Sequence, residues 1–436
     1  MYRNEIKRLL AWKQSKGRKP MIIRGARQVG KTWLMKEFGK TYKQSVYVNF
    51  ESNTTLRSMF EEDFDIRRII TAIQIATNTQ IDPANTLLIF DEIQEASGAL
   101  TSLKYFHENA PEFNIVSAGS LLGVALNQQT SFPVGKVEFM DLYPLDFIEF
   151  LEAINEKPLA EIIKKQDWEL VTGFKSNLID LLRQYYFIGG MPEVVQSFAN
   201  EKDFTKARTI QQRILYSYEQ DFSKHAPASV VPRIRMLWNA VPSQLAKENR
   251  KFIYGAIKQG ARAKDYEIAM SWLLDCGLIH KVNNISKPAI PLKAYEDISA
   301  FKLYLVDVGL LGAMTDLDPK TLLEGNAVFE EFKGAITEQY VLQQLKANNV
   351  NSVYYWSPDN ARSEIDFIIQ FDGKIIPVEV KASENLRARS LRVYHEKYSP
   401  AISIRTSMSD YRQEEWLCNI PLYAIANLPQ ILSTMK

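Results

Sequence analysis

The stretch Pro20-Met21-Ile22-Ile23-Arg24-Gly25-Ala26-Arg27-Gln28-Val29-Gly30-Lys31-Thr32 decides the fold. A short apolar run enters a glycine-bounded loop, and a helical pattern starts at about Lys31. The loop matches G-x-x-x-x-G-K-[ST] in the position that motif requires, after a strand and before a helix. The spacing has a chemical reason. The glycines let the N–H groups of Gly25, Ala26, Arg27, Gln28, Val29 and Gly30 turn inward around phosphate oxygens. Lys31 can reach the outer phosphates, the Thr32 hydroxyl is placed to ligate Mg²⁺, and the start of the helix adds a favourable dipole.

Outward from the loop, Leu87-Leu88-Ile89-Phe90-Asp91-Glu92 is an apolar run ending in two carboxylates. A strand buried on both faces reads as a continuous apolar run, and ligands gather at the carboxyl ends of parallel strands. Asp91 is expected in the Mg²⁺ shell, and Glu92 is expected to orient or deprotonate the attacking water. Ser45–Phe50 and Asn114–Ser117 read as two further strands, and Ser120 beyond the last is a candidate polar sensor of the γ-phosphate. Strands alternating with helical patterns predict an α/β fold whose first 150 residues are a parallel-sheet P-loop ATPase core.

A chain of 436 residues suggests about three domains at ~150 residues each. Its 46% hydrophobic and 24% charged content excludes a disordered or collagen-like chain. Lys and Arg total 53 against 51 Asp and Glu, a net +2, so nucleic acid can be met only by a local patch. Cys276 and Cys418 are too few and too far apart for a disulfide framework or a zinc site and read as small buried hydrophobes. No apolar run approaches the ~20 residues that span a bilayer, and charges interrupt the first residues too often for a secretory signal. The expected location is cytoplasmic, with no membrane contact.

Residues 151–245 turn helical, with apolar spacing over Ile162–Leu170 and Phe174–Tyr186. Residues 246–320 read as short helices, Phe252–Ile257 and Asp265–Cys276, then strands at 277–282 and 302–306, the order of a winged helix. From 321 to the end a long helix over Phe329–Ala347 precedes several strands, with an Asp372-Gly373 hairpin turn.

Together these segments resemble a known family. PMIIRGARQVGKTWL (20–34), YVNFE (47–51), LLIFDEIQ (87–94), SAGSLLG (117–123), DLYPLDFIEF (141–150), FIGGMPEVV (187–195), KLYLVDVGLLG (302–312) and EIDFIIQFDGKIIPVEVKAS (364–383) are similar to prokaryotic AAA-type ATPases with a C-terminal restriction-nuclease-like domain. That domain is long catalogued as one of unknown function, number 4143. The resemblance implies ATP and Mg²⁺ as cofactors, an ATP-binding role for Gly25, Gly30, Lys31, Thr32, Asp91 and Glu92, and a homo-oligomer as one possible assembly. Members often carry Gly-Arg where this chain has Gly135-Lys136. A lysine cannot form the planar fork an arginine would offer a neighbouring subunit's phosphate. Arg24 and Arg27 are alternative positive groups beside the loop.

The C-terminal part holds a second acid set. Asp366 precedes a hairpin that returns through Glu379-Val380-Lys381. Glu379 and Lys381 lie two apart on a strand and share a face. Two acids and a lysine on one face make a Mg²⁺ site with a cation to position water, and Glu338 on the preceding helix is a further candidate ligand. The pattern resembles the PD-(D/E)xK nuclease motif, with Asp366, Glu379 and Lys381 in the matching places. Domains with this motif either cut nucleic acid or bind without cutting, and both readings stay open. From Lys381 to Lys397 there are five Lys or Arg against two Glu, a patch suited to phosphates. Arg262, Lys264, Asp265 and Glu267 would line a recognition helix of mixed sign, with Lys281 and Lys287 on the wing. Tyr354, Tyr355 and Trp356 read as core strand residues. Two function classes follow: an ATPase coupled to a nuclease acting on DNA or RNA, or an ATP-gated switch whose C-terminal module binds nucleic acid or protein.

Overall fold

A computed structural model describes residues 2–119, 135–247, 251–324, 330–350, 352–358, 363–384 and 388–435. The chain forms two compact units. One takes in Arg3–Tyr143 with Asp275–Leu278; the other takes in Pro144–Leu274 and Ile279–Lys436.

The first unit is built on five parallel strands among the described residues: β1 (Met21–Arg24), β2 (Gln44–Asn49), β3 (Thr86–Asp91), β4 (Asn114–Ala118) and β5 (Glu138–Asp141), in the order β2-β3-β4-β1-β5. β3 is buried along its whole length, as its unbroken apolar run predicts. β2 is an edge strand and buries only Val46 and Val48 fully. The fifth strand leaves little trace in the sequence, because Glu138-Phe139-Met140-Asp141 alternates too briefly to stand out. Four phenylalanines hold one face of the sheet to its helices. Phe60 meets Phe50 and Phe90 edge-on, and Phe106 tilts against Phe90 at 6.3 Å. Such pairs add about 1 kcal/mol each beyond the area they bury.

The second unit begins with helices. The expected helix over Ile162–Leu170 is two, Lys157–Lys164 and Trp168–Gly173, broken where Gln166 turns left-handed at φ 57°. The stretch 252–257 forms only a 3₁₀ turn at Tyr254–Ala256, and a full helix runs from Ala263 to Asp275. Strands β6 (Ile279–Ile285) and β7 (Glu296–Leu305) pair antiparallel, as the expected hairpin would. They are not a free-standing wing. β6 also pairs with β8 (Val353–Trp356) through Asn284 and Tyr355, so the hairpin edges the C-terminal sheet. That sheet continues through β9 (Ile365–Phe371), β10 (Lys374–Val380), β11 (Ser403–Ser407), β12 (Arg412–Gln413) and β13 (Leu417–Pro421). Its order is β12-β13-β11-β10-β9-β8-β6-β7. Tyr354, Tyr355 and Trp356 are buried in β8, and both cysteines are buried thiols.

A polar tie joins distant segments of this unit. Asp307 accepts from the N–H groups of Gly190 at 2.6 Å and Leu310 at 3.0 Å, and from Gln343 Nε2 at 3.0 Å. Gly189 and Gly190 leave no room for side chains here: a Cβ on Gly189 would stand 2.1 Å from Asp307 Oδ1. The helix Glu330–Ala347 lines up three buried glutamines. Gln339 bonds both backbone groups of Leu305, Gln343 accepts from Val308 N, and Gln344 accepts from Phe147 N. The stretches around 145, 190 and 307 therefore converge on one helix, with their buried polar groups satisfied as such groups must be.

Candidate functional site

The loop between β1 and the helix Lys31–Gly39 holds its shape through backbone that few residues tolerate. Gly25 sits at φ 150°, and a Cβ there would lie 2.2 Å from Leu142 O. Gln28 and Gly30 are left-handed at φ 68° and 96°. Gly30 offers no side chain to cap the helix, so the first N–H groups face the loop as a phosphate site needs. Ala26 and Val29 are buried and anchor the loop from beneath.

Lys31 Nζ donates to Gly25 O and Ala26 O, both at 2.8 Å. Burial pulls its ammonium down to about 8, against the carboxylates of Glu92 and Asp91. Thr32 Oγ1 donates to Asp91 Oδ2 at 2.7 Å, which puts the hydroxyl and the carboxylate side by side. Glu92 takes a left-handed φ of 49°, and Gln94 Nε2 donates to its carboxylate at 2.6 Å. Ser120 lies outside the described residues.

Several contributors were missed in the sequence. Tyr47 OH donates to Asp91 Oδ2 at 2.8 Å, and Asn49 Nδ2 approaches that hydroxyl at 3.4 Å. Burial pushes the Tyr47 phenol up to about 12, so it stays a donor. The only sequence signal was position: β2 and β3 run in parallel with Asn49 beside Asp91. Arg3, 3% exposed, donates to Val29 O at 3.0 Å and Tyr143 O at 2.6 Å and braces the loop.

Two of the cations expected as phosphate partners, Arg24 and Lys136, are engaged elsewhere. Arg24 grips Asp141 with two bonds of 2.9 and 3.0 Å. Lys136 pairs with Glu108 at 3.0 Å. Arg27 is half-buried near enough to Lys31 to lower its pKa.

In the second unit, Asp366 Oδ2 accepts from Val380 N at 2.7 Å, and Lys381 Nζ pairs with Glu379 Oε1 at 2.7 Å. Glu379 is buried, which pushes its carboxyl up; Lys381 opposes this and Asp366 adds to it. Its second oxygen, Oε2, is buried without a hydrogen-bond partner among the described residues. Asp366, Glu379 and Lys381 thus come together. Glu338 does not join them. It accepts from Tyr304 OH at 3.2 Å and lies 3.7 Å from the fully buried Lys302, which also pairs with Glu364 at 2.5 Å. No group of three metal-ligating side chains occurs among the described residues. The expectation of a third acid is corrected by helix phase: Glu338 turns toward β7.

Residues 17–151 match a family model described as an AAA domain. That match takes in the loop Gly25–Thr32 and the strand that ends in Asp91. Residues 179–321 and 333–425 match two domains of unknown function, DUF8612 and DUF4143. No curated protein matches the chain. Among solved structures it is similar to the Walker-type ATPase PABY2304 of Pyrococcus abyssi (13% identity, 72% of this chain, 95% of that one, TM-score 0.45). It is also similar to the Orc1 protein of Aeropyrum pernix in complex with DNA (12%, 72% and 93%, TM-score 0.27). A third is Cdc6p of Pyrobaculum aerophilum (11%, 73% and 93%, TM-score 0.25). No helix among the described residues is long and apolar enough to cross a membrane.

Proposed function

We propose that this protein is a Mg²⁺-dependent ATP hydrolase whose nucleotide state governs a C-terminal module that engages nucleic acid. The observation that carries the first half is the 2.7 Å contact of Thr32 Oγ1 with Asp91 Oδ2 beside Lys31. A hydroxyl and one carboxylate are the oxygen donors that Mg²⁺ takes when phosphates and waters fill its other positions. The residues fit the ion, which would neutralise charge building on the phosphates.

The chain's own groups do the rest. Lys31 exchanges two loop carbonyls for phosphate oxygens, and its charge becomes better paired when it does. Thr32 and Asp91 would hold the ion, giving up their mutual bond to do so. Tyr47 keeps hold of Asp91 and limits its swing. Glu92, steadied by Gln94, accepts a proton from the attacking water. Lys31→Ala should abolish ATP turnover measured by phosphate release. Turnover at the wild-type rate would sink the assignment.

For the second half, the partnerless Glu379 Oε2 beside Asp366 is an oxygen that a cation would satisfy. Asp366 and Glu379 would hold Mg²⁺, and Lys381 would orient water or a phosphate. The departure of Glu338 leaves two acids instead of three, which favours the second reading, binding without cutting. Labelled DNA and RNA incubated with Mg²⁺ or Mn²⁺, with and without ATP, separate the two. Cleavage lost in Lys381→Ala supports a nuclease; retention without cleavage supports a binding switch.

A further inference from the structure

The acid set is one end of a longer row. In register, Glu379 on β10 sits beside Arg405 on β11, Arg405 beside Asn419 on β13, and Asn419 beside Arg412 on β12. Directly paired residues point to one face of a sheet. At ~4.8 Å per strand, the two arginines stand about 10 Å apart with Asn419 between them. Arg405 is 3% exposed and is held by its Nε bond to Asn419 Oδ1 at 2.9 Å. A buried, oriented guanidinium is built into the sheet and is not a loose surface charge.

Over this row lies a cleft of roughly 520 Å³. Arg389 and Arg392 contribute from the helix Arg389–Tyr398, three apart and so on one helix face. Arg405, Arg412 and Trp416 contribute from the sheet side. Four guanidinium groups face one carboxylate, Glu414, which pairs with Arg412 Nε at 3.1 Å. Trp416 packs on His395 at 4.7 Å and offers an aromatic wall. Guanidinium forks match phosphate oxygens bidentately, and an aromatic beside them suits a stacked base. Arg405, which lines the cleft, sits beside Glu379 in register, so the cleft and the acid–lysine set lie on the same face of the sheet.

We propose that this cleft seats the backbone of one nucleic-acid strand, gripped by Arg389, Arg392, Arg405 and Arg412, with a base packed on Trp416. The choice of strand over another phosphate ester rests on the reading of Asp366, Glu379 and Lys381 as facing a nucleic-acid backbone. Net charge near zero and a strongly local cluster are compatible, since only these few phosphates need be neutralised.

The test uses the full chain and a fluorescent single-stranded oligodeoxynucleotide in EDTA, without ATP, so that binding is read apart from cleavage. Because Arg405 is buried, the exposed pair Arg389→Ala/Arg392→Ala is the primary variant, with its thermal melt checked against wild type. Binding should weaken about tenfold or more, and the slope of log K on log salt should shrink by about 1.4, two contacts at ~0.7 each. Trp416→Leu should weaken binding without changing that slope. Unchanged oligonucleotide binding in the double variant overturns the proposal. So does arginine-dependent binding of inorganic phosphate or a mononucleotide where the oligonucleotide does not bind. The nuclease reading is scored separately: if wild type binds in EDTA but never cuts in Mg²⁺ or Mn²⁺, that reading falls and the cleft stands.

Discussion

Tyr47 decides how firmly Asp91 is aimed, because its phenol and the Thr32 hydroxyl share one carboxylate oxygen. Tyr47→Phe removes one hydrogen bond and leaves the ring, over which Lys36 sits at 4.0 Å. A hydrogen bond to a charged group contributes roughly 1.5–3 kcal/mol, so turnover should fall about tenfold or more. The Mg²⁺ concentration for half-maximal rate should rise, measured by phosphate release across a Mg²⁺ titration; an unchanged titration would show that Asp91 needs no second holder. Residues of this kind are hard to read in a sequence. Lys31, Thr32 and Asp91 each close a loop or an apolar run and can be proposed from the pattern. Tyr47 reaches Asp91 from a strand separated by a whole crossover, and Arg3 reaches Val29 from the segment ahead of the first helix. Glu338 errs in the opposite sense: it lies in the expected helix, but the helix turns that position toward Lys302 and Tyr304.

At the scale of elements, the strands legible in advance were those with continuous apolar runs, β1 and β3 above all. β5 and the join of β6 to β8 were not, since a short alternating segment and a single parallel pairing leave little trace in composition. The tie around Asp307 shows how elements read as separate become one structure. Burial pushes the Asp307 carboxyl up to about 6, while the N–H groups of Gly190 and Leu310 and the Gln343 amide pull it down. A folded-state value above the ordinary 3.8 means the fold holds the proton more tightly than the unfolded chain does. Its contribution is full below the ordinary value and is lost as pH rises through about 6. Acidifying from neutrality toward pH ~5 should therefore strengthen this junction. Asp307→Asn should lower the unfolding free energy at neutral pH by about 2 kcal/mol, since one donor loses its acceptor. It should also flatten this part of the pH dependence in urea titrations. An identical pH dependence in wild type and variant would remove Asp307 as its source.

For the whole molecule, the two compact units assign the two chemistries to different bodies of the chain. Hydrogen exchange should see them separately. ATP with Mg²⁺ should protect amides of 25–32, 47–49 and 89–94, and Lys31→Ala should lose that protection. Oligonucleotide without nucleotide should protect 389–398 and 403–417. Protection of the second set by ATP alone, in the absence of nucleic acid, would reveal coupling directly. The near-neutral net charge hid all of this, because opposite charges are sorted by place and not by number. The Arg3 brace carries a practical warning of its own. A guanidinium 26 residues upstream pins a carbonyl in the middle of the phosphate loop. An affinity tag fused ahead of it, or a protease that trims the first turn, would loosen the grip on nucleotide while every motif residue stayed intact. A preparation altered in that way would be scored as a catalytically dead enzyme when only its strut had been knocked away.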